Sequence, residues 1–335
     1  MNKKAVGLLS GGLDSTIAVG LMIDLGIEVI ALNFTSPFCT CTSKNAGCKS
    51  HAIKAADKFG IKIKSVYMGQ EYVDMVANPK HGYGRNLNPC LDCRIMMFKK
   101  AKDIMVEEGA SFIFTGEVLG QRPMSQRRDA MNLIERDSGL KGLILRPLSA
   151  KHFEPTIPEK EGIVDRERLL NLVGRSRRPQ MGLAEEMGIH DYPCASGGCL
   201  LTEYNFARRM KDLIHYSRIP DVRDTRLLRV GRHFRVDKDC KIIVGRDQSE
   251  NERLERLSEN DDYLFTVDGY EGPLVVLRGV IKDELIPITS QIAVRYSDAP
   301  KDREIPVRYK RKCDTVTTTV HARAIDDEKL IIIRI

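Results

Sequence analysis

Leu8-Leu9-Ser10-Gly11-Gly12-Leu13-Asp14-Ser15-Thr16 joins a short apolar run, Ala5 to Leu9, to a helix-like run from Thr16 to Leu25. A strand that delivers two glycines and small hydroxyl residues onto a helix N-terminus leaves a nest of backbone N–H groups. The positive end of the helix dipole adds to it, and the result suits a phosphate-type anion. The glycines let backbone approach the oxygens closely, while Ser10 and Ser15 add hydroxyl donors. No lysine follows in Gly-Lys-Ser/Thr order, which excludes the Walker loop. Leu9, Ser10, Gly11, Gly12, Asp14 and Ser15 are the expected anion contacts.

Outward from this turn, Ala5–Leu9, Glu28–Phe34, Ile61–Tyr67 and Ser111–Thr115 read as buried strands, with helices over Thr16–Leu25, Lys49–Phe59 and Cys93–Glu108 between them. The alternation predicts an α/β fold with a doubly wound parallel sheet, whose ligands bind beyond the carboxyl ends of the strands. Residues 120 to about 220 read as mostly helical, with helical spacing at Leu169–Val173, Arg177–Met187 and Tyr204–Tyr216. Near Thr225 the texture becomes β-rich: Leu227–Val236, Lys241–Val244, Tyr263–Val267, Leu274–Leu277, Gln291–Tyr296, Thr315–Ala324 and Leu330–Ile335 read as strands, and Ser249–Ser258 as a helix. The expected organisation is a first domain over 1–222, with a helical extension over about 150–222, and a β-rich α+β domain over 223–335.

The chain has 335 residues, 42% hydrophobic and 30% charged, as in an ordinary globular protein. No apolar run is long enough to span a bilayer, and the N-terminus lacks a signal-peptide core, so a cytoplasmic location without membrane partners is expected. A net charge of +7 permits a polyanionic partner without requiring one. Arg122, Arg127, Arg128, Arg175, Arg177 and Arg178 cluster in the helical stretch, which fits either a solvated helix face or contacts to a phosphate-rich partner.

Nine cysteines in a chain of this kind point to metal or redox chemistry rather than a disulfide framework. Cys90 and Cys93 form a Cys-x-x-Cys pair ahead of a helix; Cys194 and Cys199 flank a Gly-Gly turn; Cys39, Cys41 and Cys48 follow the second strand. Three readings stay open: three cysteines on an iron–sulfur cluster with one open iron, a tetrahedral zinc site, or a dithiol relay carrying persulfide sulfur. Cys240 and Cys313 read as unremarkable thiols.

Ser-Gly-Gly-Leu-Asp-Ser resembles the pyrophosphate loop of the ATP pyrophosphatases. Phe114-Thr115-Gly116-Glu117-Val118-Leu119-Gly120-Gln121 with Ile144-Leu145-Arg146-Pro147-Leu148 resembles the tRNA 4-thiouridine synthetase family, and Asn88-Pro89-Cys90-Leu91-Asp92-Cys93 is similar to the catalytic-cysteine segment of the tRNA 2-thiouridylases. Val244-Gly245-Arg246-Asp247-Gln248-Ser249-Glu250-Asn251 is similar to a signature of the RNA-binding domain of NFACT-type proteins.

The resemblance implies an adenine nucleotide α-hydrolase-like fold and ATP-dependent thiolation of uridine in RNA, with tRNA as the expected substrate. ATP and Mg²⁺ are then the cofactors, with Asp14 at the metal or its waters. Adenine is expected near Asn33 and Phe34, and ribose and α-phosphate near Gly116, Glu117 and Gln121. Asp14, Cys90, Cys93 and Cys199 are the expected catalytic residues. Cys90, Cys93 and Cys199 would hold a [4Fe–4S] cluster with Cys194 as substitute for Cys199; in the persulfide version Cys199 carries sulfur and Cys90 resolves it. Cys39, Cys41 and Cys48 are a candidate second site, for zinc. A sulfur donor (sulfide, a persulfide carrier or a desulfurase) is an implied partner, and a homodimer is expected by family analogy. Adenylation of a small molecule, and noncatalytic RNA binding with a relic ATP site, are the alternatives.

Overall fold

The computed structural model describes residues 1–40, 47–192, 198–217 and 220–335, with the backbone alone at 47–49. The chain divides into two compact units, Met1–Thr202 and Glu203–Ile335. The break falls earlier than the expected boundary at 222, because the helical segments after Thr202 pack with the β-rich unit.

In the first unit the elements run β1 (Lys4–Leu8), α1 (Leu13–Asp24), β2 (Glu28–Thr35), α2 (Gly47–Lys58), β3 (Lys62–Tyr67), α3 (Gln70–Ala77), α4 (Cys90–Glu107), β4 (Phe112–Thr115), α5 (Arg128–Ser138), β5 (Ile144–Leu145), α6 (Ile157–Lys160) and α7 (Arg178–Glu186). The five strands form one sheet in the order β3-β2-β1-β4-β5, all parallel. Side chains alternate across it: Ala5, Leu9, Phe112 and Phe114 enter a core with Leu13, Ile17 and Ala184, while Val6, Leu8 and Ile113 enter another with Ile95, Phe98 and Ile134. Burial on both faces explains the near-continuous apolar strands, and the parallel pairing puts every strand's carboxyl end at the same edge. The segments after Leu8, Thr35 and Thr115 therefore leave from one rim.

Leu169–Val173 is not helical. Leu170 and Leu172 donate backbone bonds to Pro147 and Leu148 carbonyls, and Val173 bridges Leu119, so the apolar residues pack as an extended strap. The helix α3 was not expected from the sequence.

The second unit comprises α8 (Tyr204–Tyr216), α9 (Val222–Leu227), β6 (Arg232–Asp237), β7 (Cys240–Val244), α10 (Gln248–Leu257), β8 (Tyr263–Val267), β9 (Val275–Gly279), α11 (Leu285–Tyr296), β10 (Ile305–Arg311), β11 (Thr318–Ala322) and α12 (Asp327–Ile333). Its six strands form an antiparallel sheet ordered β11-β10-β8-β9-β7-β6. Two expected strands are helices. Gln291–Tyr296 ends α11, whose Leu285, Ile292 and Ala293 pack into the sheet's core, and Leu330–Ile335 overlaps α12, which starts with acidic Asp327 and Glu328 at its positive end. Short apolar runs do not by themselves separate a buried helix from a strand. No helix among the described residues is long and apolar enough to cross a membrane.

Candidate active site

The Ser10–Ser15 turn leaves β1 and enters α1 as anticipated. Gly11 has φ +76, and a Cβ there would stand 2.4 Å from the Ala52 backbone nitrogen, so only glycine lets α2 pack on the turn. Gly116 plays the matching part: its Cβ would lie 2.5 Å from the Asp14 carbonyl oxygen and the Ser15 nitrogen. The exit of β4 thus lies directly on the first turn of α1. Within the turn, Ser10 and Ser15 hydroxyls are 3.1 Å apart and Ser15 Oγ donates to the Gly12 carbonyl. Asn33, 1% exposed, donates from Nδ2 to the Leu9 carbonyl at 2.9 Å, tying β2 to the turn. Phe34 packs instead with the apolar core beside α4.

Asp14 accepts at Oδ2 from Gln121 Nε2 (2.8 Å), and its other oxygen, Oδ1, is buried without a hydrogen-bond partner. Gln121 Oε1 in turn accepts from Gln180 Nε2 at 3.3 Å, and Gln180 is 1% exposed. Gln180, on α7, was not expected from the sequence; nothing in its neighbourhood distinguishes it from a surface glutamine after a proline. The orphaned Asp14 oxygen on an anion-facing turn fits a divalent cation or its waters.

Glu117, expected near ribose and α-phosphate, stands in a buried ion-pair cluster. It is 2% exposed, receives Arg94 Nη2 at 2.7 Å and Arg146 Nε at 3.3 Å, and accepts from the Thr115 hydroxyl. Burial pushes its carboxyl upward, but the guanidiniums of Arg94 and Arg146 and the Thr115 hydroxyl outweigh burial and hold it below the ordinary range. Arg146, in the Leu-Arg-Pro-Leu segment, also pairs with Glu135 and lies over the Phe153 ring. Glu117 therefore locks α4 onto the exit of β4. Because its folded value is lowered, its stabilising contribution is present above the ordinary glutamate pKa and is lost as pH falls through the folded value. Glu117→Gln leaves two buried guanidiniums without their carboxylate and is expected to cost roughly 3–5 kcal/mol in urea unfolding. A loss under 1 kcal/mol, within the range of about 0–1 kcal/mol of a surface pair, would contradict this role.

The cysteines gather beside the same rim. Cys90 opens α4; burial raises its thiol, while the charges of Arg122 and Arg94 and a hydrogen bond with Asn88 oppose that. Arg122 follows Gln121, so the chain from Asp14 through Gln121 reaches the electrostatic surroundings of Cys90. Cys93 accepts from the Tyr72 hydroxyl at 3.0 Å, and burial raises its thiol too. Cys199 is pushed up to about 12 by burial, with Cys93, Cys39 and Cys90 adding repulsion of a thiolate. Tyr72 feels Cys93, Cys199 and Cys39 at once. Four sulfurs from three separate segments therefore share one neighbourhood, with Tyr72 among them. Among the described residues, no three His, Cys, Asp or Glu side chains already stand as a metal-binding group.

Cys41 and Cys194 lie outside the described residues, as does the side chain of Cys48, so the expected second site is represented by Cys39 alone. Cys240 is buried and donates to the Val280 carbonyl; Cys313 is exposed. Of the arginines, Arg127 pairs with Asp129, and Arg128 donates to the His152 carbonyl and covers Phe153. Arg177 Nε is buried without a partner, and Arg178 begins α7.

In the second unit, the Val244–Asn251 segment is the corner between β7 and α10. Asp247 caps α10 by accepting from the Glu250 nitrogen at 2.9 Å, and Glu250 receives the Gly231 and Arg246 nitrogens. A Cβ on Gly245 would fall 2.0 Å from Asn251 Oδ1, which accepts from the Leu274 nitrogen. The signature thus builds a tight corner beneath Arg209, whose guanidinium is lowered to about 10 by burial and by Arg246.

Residues 1–159 match the family model described as Thiamine biosynthesis protein (ThiI), and residues 231–331 match that of the NFACT protein RNA binding domain. With the topology and the turn, these matches liken the first part of the chain to the ThiI family and the last part to the NFACT RNA-binding domain. Among relatives, the tRNA-specific 2-thiouridylase MnmA of Marinobacter nauticus is 29% identical over 220 residues, 62% of this chain and 52% of the relative. The probable tRNA sulfurtransferase of Thermococcus kodakarensis is 30% identical over 53% of this chain and 43% of the relative. The chain thus spans about half the length of these two relatives. The solved U34-tRNA thiolase NcsA from Methanococcus maripaludis, with its [4Fe-4S] cluster, is 20% identical over 68% of this chain and 74% of its own, with a TM-score of 0.34, an overlap too loose to bear on the site.

Proposed function

We propose that this protein thiolates a uridine of tRNA through an adenylated base. The observation that supports the reading is the continuity from Asp14 through Gln121 and Arg122 to the surroundings of Cys90. A uracil carbonyl oxygen is a poor leaving group, so it is first made into one: it attacks the α-phosphate of ATP, and pyrophosphate departs into the amides and hydroxyls of Ser10–Ser15. Mg²⁺, held by Asp14 directly or through its waters, neutralises departing charge. A sulfur nucleophile from the cysteine pocket then attacks the activated carbon and AMP leaves.

Cys90, Cys93 and Cys199 would hold a [4Fe–4S] cluster, and the donor set suits one: soft thiolates from separate segments in a largely buried pocket. When bound, such a cluster supplies an iron able to take up hydrosulfide. Without it, Cys199 is the carrier of persulfide sulfur. In either case Tyr72 orients Cys93, and Arg122 and Arg94 offset the negative charge of thiolates. The arginines along 122–128 and 177–178 and the NFACT-type domain would bind the RNA backbone, an interaction that weakens steeply with salt.

The test is incubation of the protein with ATP, Mg²⁺, sulfide and unmodified tRNA under anaerobic conditions. AMP, pyrophosphate and a thionucleoside should form together. AMP formation on a small molecule with no need of RNA would overturn tRNA as the substrate.

A further inference from the structure

The cysteine pocket contains a pairing that the roles above leave unused. Cys39, just after β2, and Cys199, far downstream, face each other across an isolated antiparallel bridge. The flanking residues carry the backbone bonds: Leu200 N donates to the Phe38 carbonyl at 2.9 Å and Thr40 N to the Gly198 carbonyl at 3.3 Å. Cys39 and Cys199 are therefore a non-hydrogen-bonded pair, the kind whose Cα atoms approach to about 4.5 Å with side chains on one face. That lies within the span a disulfide requires, about 4.4–6.8 Å.

The pair is held on both sides. Phe38 is fully buried and packs on Tyr72 with ring centroids 5.6 Å apart, which fixes the start of the bridge. The Ser36 nitrogen donates to Cys39 Sγ at 3.3 Å. On the other strand, the Thr202 nitrogen and hydroxyl both donate to the Cys199 carbonyl. Cys39, Cys199 and Cys93 are all half-buried, but Cys93 is in addition tied to Tyr72 and packed on Met97.

We propose that Cys39 is the thiol that discharges Cys199, resting on the sulfur-transfer reading of the pocket and replacing Cys90 in the resolving role. With sulfur on Cys199 as a persulfide, delivered by polysulfide or a protein persulfide, the Cys39 thiolate attacks the inner sulfur. The Cys39–Cys199 bond forms, the terminal S–S bond breaks, and hydrosulfide leaves with the electron pair. The hydrosulfide is the nucleophile for the activated base. The disulfide returns to two thiols by two-electron reduction with an external dithiol.

The test uses the full-length, metal-free protein, reduced and then given one equivalent of inorganic polysulfide anaerobically. Sulfide release is followed, the thiols are alkylated, and the peptides are mapped by mass spectrometry. A Cys39–Cys199 linked peptide should accumulate in step with released sulfide. Cys39→Ser should keep persulfide on Cys199 and release sulfide at least about a hundredfold more slowly, because a pre-positioned nucleophile is lost. A Cys90–Cys199 or Cys93–Cys199 peptide, or undiminished release by Cys39→Ser, would overturn the assignment. The wild-type mapping needs no variant to fold. Failure of ATP-dependent AMP formation on tRNA, measured separately, would count against the proposed function while leaving the peptide result interpretable.

Discussion

Asp14→Asn is expected to abolish ATP-dependent pyrophosphate release, with a fall of about a thousandfold or more, while the protein stays folded and binds RNA as before. An asparagine keeps the size of the side chain and can still accept from Gln121 Nε2, so the bond that fixes the turn survives. What goes is the negative charge on the oxygen that has no protein partner. Metal-assisted stabilisation of charge on a transferring phosphoryl group is worth several kcal/mol, which sets the scale of the loss. Steady-state pyrophosphate assays at saturating Mg²⁺, with thermal melting as the folding control, would measure it. A variant within tenfold of the parent protein would show that Asp14 only shapes the turn.

The second large effect is expected at Cys199. Cys199→Ser should reduce thionucleoside formation to background, at least about a thousandfold, since a serine hydroxyl neither carries sulfur nor ligates iron as a thiolate does. AMP and pyrophosphate should continue to form, because the turn and the Asp14–Gln121–Gln180 chain do not involve this residue. The readout is a split: nucleoside mass spectrometry for sulfur against pyrophosphate release for activation. Parallel loss of both would mean that Cys199 supports the fold of the rim rather than the delivery of sulfur. Normal thiolation would remove it from the chemistry altogether.

Much of the first unit was legible because its sequence repeats one physical pattern. Parallel strands buried on both faces are continuous apolar runs, and Glu28–Thr35 and Phe112–Thr115 show this plainly. The glycines at 11 and 116 announce close backbone approaches that the structure contains. Other features were not local in the sequence. The family resemblance puts Glu117 near ribose and α-phosphate, while its ion-pair partners Arg94 and Arg146 come from α4 and the segment after β5. Gln180 and Tyr72 join the site through tertiary packing, which no spacing encodes. In the second unit, the short apolar run Gln291–Tyr296 reads as a strand, yet it is the end of α11, whose apolar residues are buried against the sheet. The pairing of Cys39 with Cys199 depends on two loops meeting, and only the backbone bonds around them reveal it.

The central claim is that the oxygen displaced from the base leaves on the nucleotide. It is tested most directly with tRNA whose target uracil carbonyl carries ¹⁸O, reacted for a single turnover and analysed by mass spectrometry of the nucleotide product. The account predicts one ¹⁸O in each AMP, in step with the thionucleoside formed. Thionucleoside accompanied by unlabelled AMP would contradict it.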